Sequence, residues 1–155
     1  MAGAMAEAAK ANLELAKLKT PRSLSVEQQE RIISKIKSFA GTPFDLWIST
    51  DPDSAVLMEL IDTVLRSAGW KFSQPYSEGI MFASKAGLFT GSGVEIRVPI
   101  EHKDEWIPAG IALADALSAE GITTAVGADP RLTWEHRNNI RRDRIHVSVG
   151  TKPLN

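Results

Sequence analysis

Residues 44–72, FDLWISTDPDSAVLMELIDTVLRSAGWKF, decide the fold of this 155-residue chain. FDLWIS is a short aromatic and β-branched run, which is typical of a buried strand. Thr50 or Asp51 then caps a helix with proline at its first position and a wide apolar stripe that ends at Gly69. WKFSQ predicts a returning strand. A strand, an amphipathic helix and a strand joined by short connections predict a βαβ unit, whose crossover is almost always right-handed.

The flanking sequence adds further helices and strands to this unit. SVEQ at residues 25–28 is a capping box, and the helix it begins should end at Gly41. VEIRVPI at residues 94–100, ITTAVG and RIHVSVG predict three more strands, with a helix ending at Gly121 between the first two. IMF at residues 80–82 is a candidate for an extra edge strand. We therefore expect an α/β fold, with a mainly parallel or mixed sheet of about five strands and helices on its faces.

A helical arm precedes this domain. Residues 4–18 are rich in Ala, Glu, Lys and Leu, which favour a helix. Successive a and d positions of a heptad pattern form a seam that could meet another helix, although about two heptads is a short coiled coil. The seam residues are Ala4, Ala8, Ala11, Leu15 and Leu18. The alternative is a frayed arm. Pro21 interrupts the pattern, so we predict an arm over residues 1–20 and a single domain over residues 21–155.

Charge and composition exclude several classes of function. Lys and Arg number 18 and Asp and Glu 19, so a formal charge of −1 provides no general attraction to nucleic acid or anionic membranes. The absence of cysteine excludes disulfides, thiolate metal sites and a cysteine nucleophile. Without a membrane-spanning run or a signal peptide, the chain as written should be soluble and unexported. RLTWEHRNNIRRDR holds five arginines, but its acidic residues favour a solvated loop over a nucleic-acid site.

Polar residues follow three of the predicted strands. In open α/β sheets, ligands bind beyond the carboxyl ends of parallel strands. If the strands run parallel, residues 49–51, 101–103 and 151–152 could share one edge of the sheet. The candidate ligand-binding residues are Thr50, Asp51, His102, Lys103 and Lys152. The alternative is that they form only a helix cap, a solvated turn and a tail.

No catalytic constellation, metal site or cofactor site is evident in the sequence. His102, His136 and His146 lack metal-ligand spacing, and we expect His146 to be a strand residue. GLFTGSG matches neither common phosphate-binding pattern. Lys152-Pro153 after the last strand is typical of phosphoryl-accepting receiver domains, but the acidic pocket of those domains is missing. We therefore interpret this pair as a strand terminator.

Four segments resemble an uncharacterised family of bacterial membrane-associated proteins: PRSLSVEQQERI, FAGTPFDLWISTDPDSAVLMELIDTVLRSAGWKF, GSGVEIRV and IHVSVGTKP. In that family, an N-terminal transmembrane helix and a coiled coil lead into a Pro-Arg-Ser-Leu segment, and the α/β domain ends in Gly-x-Lys-Pro. The corresponding residues here are 21–24 and 150–153. The resemblance implies a fragment that begins inside the stalk, at the cytoplasmic face of the membrane in its parent protein. It implies no activity and no functional residue.

Three functions follow as hypotheses. The first is a non-enzymatic sensory or protein-interaction domain that forms homo-oligomers through its N-terminal helix and reaches the membrane only through a segment absent from this chain. The second is a small-anion or nucleotide-binding domain, or a degenerate enzyme, that uses the strand-end residues. The third, nucleic-acid binding by the arginine-rich loop, is the least favoured.

Overall fold

The computed structural model describes residues 21–74, 85–129 and 142–153, which form an α/β domain. Its described helices are α1 (Val26–Ile36), α2 (Pro52–Ser67) and α3 (Lys103–Ala119). Its described strands are β1 (Pro43–Ile48), β2 (Lys71–Phe72), β3 (Ala86–Leu88), β4 (Val94–Pro99), β5 (Thr124–Asp129) and β6 (Ile145–Val149). Short 3-10 turns follow α1 at Lys37–Phe39 and precede α3 at Ile100–His102.

The six strands form one mixed sheet in the order β2-β1-β6-β4-β5, with β3 also paired to β1. β1 runs parallel to β2, β3 and β6, and β4 runs parallel to β5. β4 and β6 are antiparallel, so the sheet consists of two parallel groups that point in opposite directions. The expected α/β class and mixed sheet are therefore confirmed. β2 and β3 occupy one edge position in succession, because they pair with different parts of β1.

The ends of the helices follow the local sequence. Ser25 Oγ accepts a hydrogen bond from the amide of Gln28, whose side chain accepts one from the amide of Ser25, so the predicted capping box is confirmed. Asp51 is the cap of α2 and accepts from the amide of Asp53 at 3.1 Å. At the other end of α2, Gly69 adopts φ 87°, a backbone conformation that side chains disfavour.

The two faces of the sheet differ in chemistry because side chains alternate along each strand. One face carries Phe44, Leu46 and Ile48 from β1 and the apolar residues of β4 and β6, and all three described helices pack there in one core. The opposite face, here the second face, carries the alternate residues of the central strands. These are Asp45, Trp47, Glu95, Arg97, His146 and Ser148. The described helices thus pack on one face of the mixed sheet, and the expected arrangement of a mixed sheet with helices on it is confirmed.

The segment after α2 differs from the sequence prediction. The strand predicted in WKFSQ is reduced to Lys71 and Phe72, and β3 was not anticipated. Gly87 in β3 lies against the indole of Trp47, and an added Cβ would overlap that ring. This glycine of GLFTGSG therefore serves packing. The candidate strand at residues 80–82 and the arm at residues 1–20 lie outside the described residues.

Candidate functional site

A buried arginine ties the first described residues to the end of the last strand. The amide of Arg22 donates to Asp53 Oδ1 and its Nε to Asp53 Oδ2, both at 2.7 Å. Its Nη2 donates to the carbonyl oxygen of Gly150 at 2.6 Å. We call Arg22, Asp53 and Gly150 the Arg22 clamp. It joins three parts of the fold, namely the segment before α1, the first turn of α2 and the residue after β6.

Two buried hydroxyls complete this region. Ser54 Oγ donates to the carbonyl of Gly150 at 2.8 Å and lies 2.6 Å from Ser49 Oγ. Gly150 itself lies against the backbone of Gly91, where a Cβ would overlap a carbonyl. The segments at residues 21–24 and 150–153 therefore meet around the carbonyl oxygen of Gly150. The polar groups that surround it bond to one another.

The five predicted ligand residues do not share one edge of the sheet. Because β1 and β6 are parallel neighbours, the residues that follow them, Thr50, Asp51 and Lys152, lie at the same edge. β4 runs antiparallel to β6, so His102 and Lys103 follow β4 at the opposite edge. The expectation of a single shared edge required all three strands to be parallel, and β4 does not meet that condition.

The edge that holds Thr50 and Asp51 has carboxylates at the start of α2. Asp51 caps the helix, and Asp53 is bound by Arg22 at a distance of 2.6 Å. An anion that approached this helix start would meet two carboxylates before it reached the backbone amides. Arg22 Nη1 is buried without a hydrogen-bond partner, but the same guanidinium is already neutralised by Asp53.

At the opposite edge of the sheet, where β4 and β5 end, a second arginine bonds to several elements. Arg142 donates to both carboxylate oxygens of Glu101, at 2.7 to 2.9 Å, and to the carbonyl of Asp129 at 2.9 Å. The ring of His102 stacks on Trp106 at 4.3 Å between centroids. The imidazole Nδ1 of His102 is 3.1 Å from Glu105, and Lys103 begins α3. These contacts join β4, β5 and α3 to the chain that enters β6.

The second face contains a buried aspartate and histidine pair. Asp45 and His146 stand opposite each other in β1 and β6, and Asp45 Oδ1 is 2.7 Å from His146 Nδ1. The indole Nε1 of Trp47 donates to the same oxygen at 2.8 Å, and its ring meets the imidazole edge to face. His146 is a strand residue, as expected. Among the described residues, no group forms a hydrogen bond with the buried His146 Nε2.

The sequence analysis missed this pair. Asp45 is the one charged residue in the otherwise apolar run FDLWI. His146 is likewise the second residue of IHVSV and interrupts its apolar positions. A charged residue within a strand that is buried on both faces requires a partner. The alternation of FDLWI and IHVSV could therefore have suggested that the two side chains meet, although only the strand order shows that β1 and β6 are neighbours.

Charged bonds also connect α1 to the end of α3, and α2 to the residue before β3. Arg31 of α1 bonds to Glu120 at the end of α3, and this bond lowers the pKa of Glu120 and raises that of Arg31. Lys85 lies 2.7 Å from Asp62 and 2.8 Å from Glu59, both on α2. Burial acts to lower the pKa of Lys85, but its hydrogen bonds to the two carboxylates outweigh that effect and raise it.

Neither a membrane span nor a metal centre occurs in the described ranges. Within residues 21–74, 85–129 and 142–153, no helix has the length and hydropathy required to cross a bilayer. Histidine and acidic side chains in the same ranges form no group of three that could hold a metal ion. No protein-family model, curated protein or solved structure matches the chain.

Proposed function

We propose that this chain is a non-enzymatic protein-interaction domain that self-associates through its N-terminal helix. The Arg22 clamp is the observation that carries the proposal. It ties Arg22, the second residue after the predicted arm, to α2 and to the end of β6, so a stalk that ends at residue 20 would enter the domain at a defined point. A domain mounted on a helical stalk requires such a fixed junction, because a loose one would not transmit the orientation of the stalk.

The proposed stalk can pair with a second copy of itself through the seam of residues 4–18. An isolated helix of about 15 residues is marginal in water, so a folded arm requires a surface to pack against. A second copy of the seam provides one, since its alanines allow close approach and its leucines bury apolar area. The nearly neutral charge of the chain adds little repulsion between copies.

The membrane location is part of the same proposal. It rests on the resemblance of residues 21–24 and 150–153 to the segments that flank the domain in the membrane-associated family. In the parent protein, a preceding membrane helix would hold the stalk at the cytoplasmic face. Two stalks that start from one membrane run in the same direction, so the arms should pair in parallel.

Anion or nucleotide binding, the alternative function, has less support. Thr50, Asp51 and Lys152 share an edge, but Asp51 and Asp53 place negative charge at the start of α2. Helix starts bind anions through free amides and positive potential. Here the amide of Asp53 is bonded to Asp51, and the carboxylate of Asp53 already occupies the position of an anion beside Arg22.

Light scattering on the full chain at low micromolar concentrations tests the proposal. We expect the wild-type mass to rise with concentration, and the variant Leu15→Asp with Leu18→Asp to be monomeric because charges would face the apolar seam. Leu13→Asp with Ala16→Asp is the matched control, since it adds the same charge outside the seam. A wild-type chain that stays monomeric, or a seam variant that associates like the control, would contradict arm-mediated association.

A further inference from the structure

β5 leaves one side of the sheet open. In the described ranges it pairs with β4 alone and ends the strand order. Ala125, Gly127 and Ala128 are exposed, and a Cβ added at Gly127 would meet no atom within 4 Å. Thr124 and Val126 are half-buried and Asp129 is the one buried residue of the strand, so solvent reaches β5 over most of its length.

The backbone groups on this open side can be assigned from one hydrogen bond. The amide of Val94 in β4 donates to the carbonyl of Thr123 at 2.9 Å. Successive residues of a strand direct their N–H and C=O groups to opposite sides, so residues 125, 127 and 129 face β4. Thr124, Val126 and Ala128 then direct their N–H and C=O groups outward.

Between Thr124 and Ala128, β5 lacks the features that usually protect an edge strand. Edges are normally blunted by lysine, proline, a bulge or an inward-pointing charge. TAVGAD has no lysine or proline, and it pairs with β4 without a bulge. Its one charged residue, Asp129, points inward at the last position of the strand, with its carboxylate 3.8 Å from Arg142, so the run from Thr124 to Ala128 carries no charge. An accessible neutral edge of this kind favours strand addition.

We propose that β5 pairs antiparallel with β5 of a second copy. A two-fold contact between identical edges must be antiparallel. Antiparallel strands bond when outward-facing residues stand opposite each other. The register that uses every outward group places Val126 opposite Val126 of the partner and Thr124 opposite Ala128 of the partner. No like charges then face each other, and the sheet continues from one copy into the next.

This contact is distinct from the arm and weaker than it. It consists of backbone hydrogen bonds between small residues, so it buries little area and belongs to the class of transient interfaces. Where the arms already hold two copies together, each pair presents two β5 edges. Edge pairing would then join arm-linked pairs into rows, which increases the density of interaction domains at a surface.

Cysteine pairing in the full chain tests the register, because the natural sequence contains no cysteine. The predicted register places residue 125 opposite residue 127 of the partner in a non-hydrogen-bonded pair. Such pairs have Cα atoms about 4.5 Å apart, within the range of disulfides. Ala125→Cys and Gly127→Cys are made as separate proteins, mixed at high micromolar concentration and oxidised mildly. We expect a disulfide-linked heterodimer in the mixture and much less crosslinking in either protein alone.

Two further samples separate this proposal from arm pairing. Crosslinking of the mixture should persist when both proteins also carry Leu15→Asp and Leu18→Asp. It should fall at least about tenfold when both carry Ala128→Pro, which removes one outward N–H at an exposed edge position. No crosslink in the mixture, or equal crosslinking in the single-variant samples, would overturn edge pairing whatever the mass measurements show for the arm. Thermal unfolding of each variant verifies that it is folded.

Discussion

Replacing Arg22 with alanine should destabilise the domain strongly, because Arg22 connects parts of the fold that are far apart in sequence. The side chains of Arg22 and Asp53 are 7% and 13% exposed. The substitution removes the guanidinium bonds to Asp53 and to the carbonyl of Gly150. Asp53 would keep its negative charge in a site that water reaches poorly.

The magnitude follows from this geometry. Loss of one partner from a buried ion pair costs about 3–5 kcal/mol. The lower end applies here because Asp53 retains some solvent access and Ser54 continues to donate to Gly150. We therefore expect the free energy of unfolding to fall by about 3 kcal/mol, which lowers the melting temperature by about 10 °C in a domain of this size.

Chemical denaturation followed by circular dichroism measures this change. Arg97→Ala is the matched control, since the side chains of Arg97 and its ion-pair partner Glu95 are 46% and 38% exposed and loss of this pair should alter stability little. Arg22→Lys should be intermediate, because lysine keeps the charge but cannot contact Asp53 and Gly150 with the same planar fork. If Arg22→Ala were no more destabilising than Arg97→Ala, the clamp would not hold the fold as we argue.

Three further predictions concern other parts of the chain. Gly87→Ala should lower the free energy of unfolding by about 2 kcal/mol, because its Cβ would overlap Trp47. Gly127→Ala adds a Cβ in open space and should not lower it. Denaturant titration of both variants compares the two free energies. The lowered pKa of Glu120 means that the folded state binds its proton less readily than the unfolded state. Glu120 therefore stabilises the fold above its ordinary pKa of 4.5, and this stabilisation is lost as the pH falls through its lowered pKa in the folded state. Glu120→Gln should accordingly lose less stability between pH 7 and pH 3 than wild type. Deletion of residues 1–20 should preserve cooperative thermal unfolding; a non-cooperative profile would show that the arm belongs to the core.

The elements with strong local determinants were predictable from the sequence. The capping box at Ser25, the Asp51 cap and the stop at Gly69 each depend on residues a few positions apart, and all three occur as expected. β3 was not predictable in this way, because it is three residues long and its pairing partner is distant in sequence. Short edge strands of this kind depend on tertiary contacts rather than on a local pattern.

The candidate sites depended on strand order, which local sequence does not encode. The antiparallel pairing of β4 with β6 separates His102 and Lys103 from Thr50 and Asp51, although all of them follow strands. The sequence analysis placed Arg22 in the Pro-Arg-Ser-Leu segment that follows the arm and predicted no contact for it. Its bond to Gly150 spans 128 residues, so no pattern within either segment could show that they meet.

The direction of arm pairing tests the central proposal most directly, and a distance between two copies measures it. Ser23 is exposed directly beside the Arg22 clamp, and Ser23→Cys allows a single spin label in this cysteine-free chain. Parallel arms with axes about 8–10 Å apart should bring the two labels within about 20 Å. Antiparallel arms, at 1.5 Å per residue over the seam, would separate them by about 40 Å. Pulsed dipolar spectroscopy at low micromolar concentration should show the short distance, and its loss in the variant Leu15→Asp with Leu18→Asp. A distance near 40 Å, or no dipolar coupling in the wild-type arm, would contradict a stalk-mounted domain.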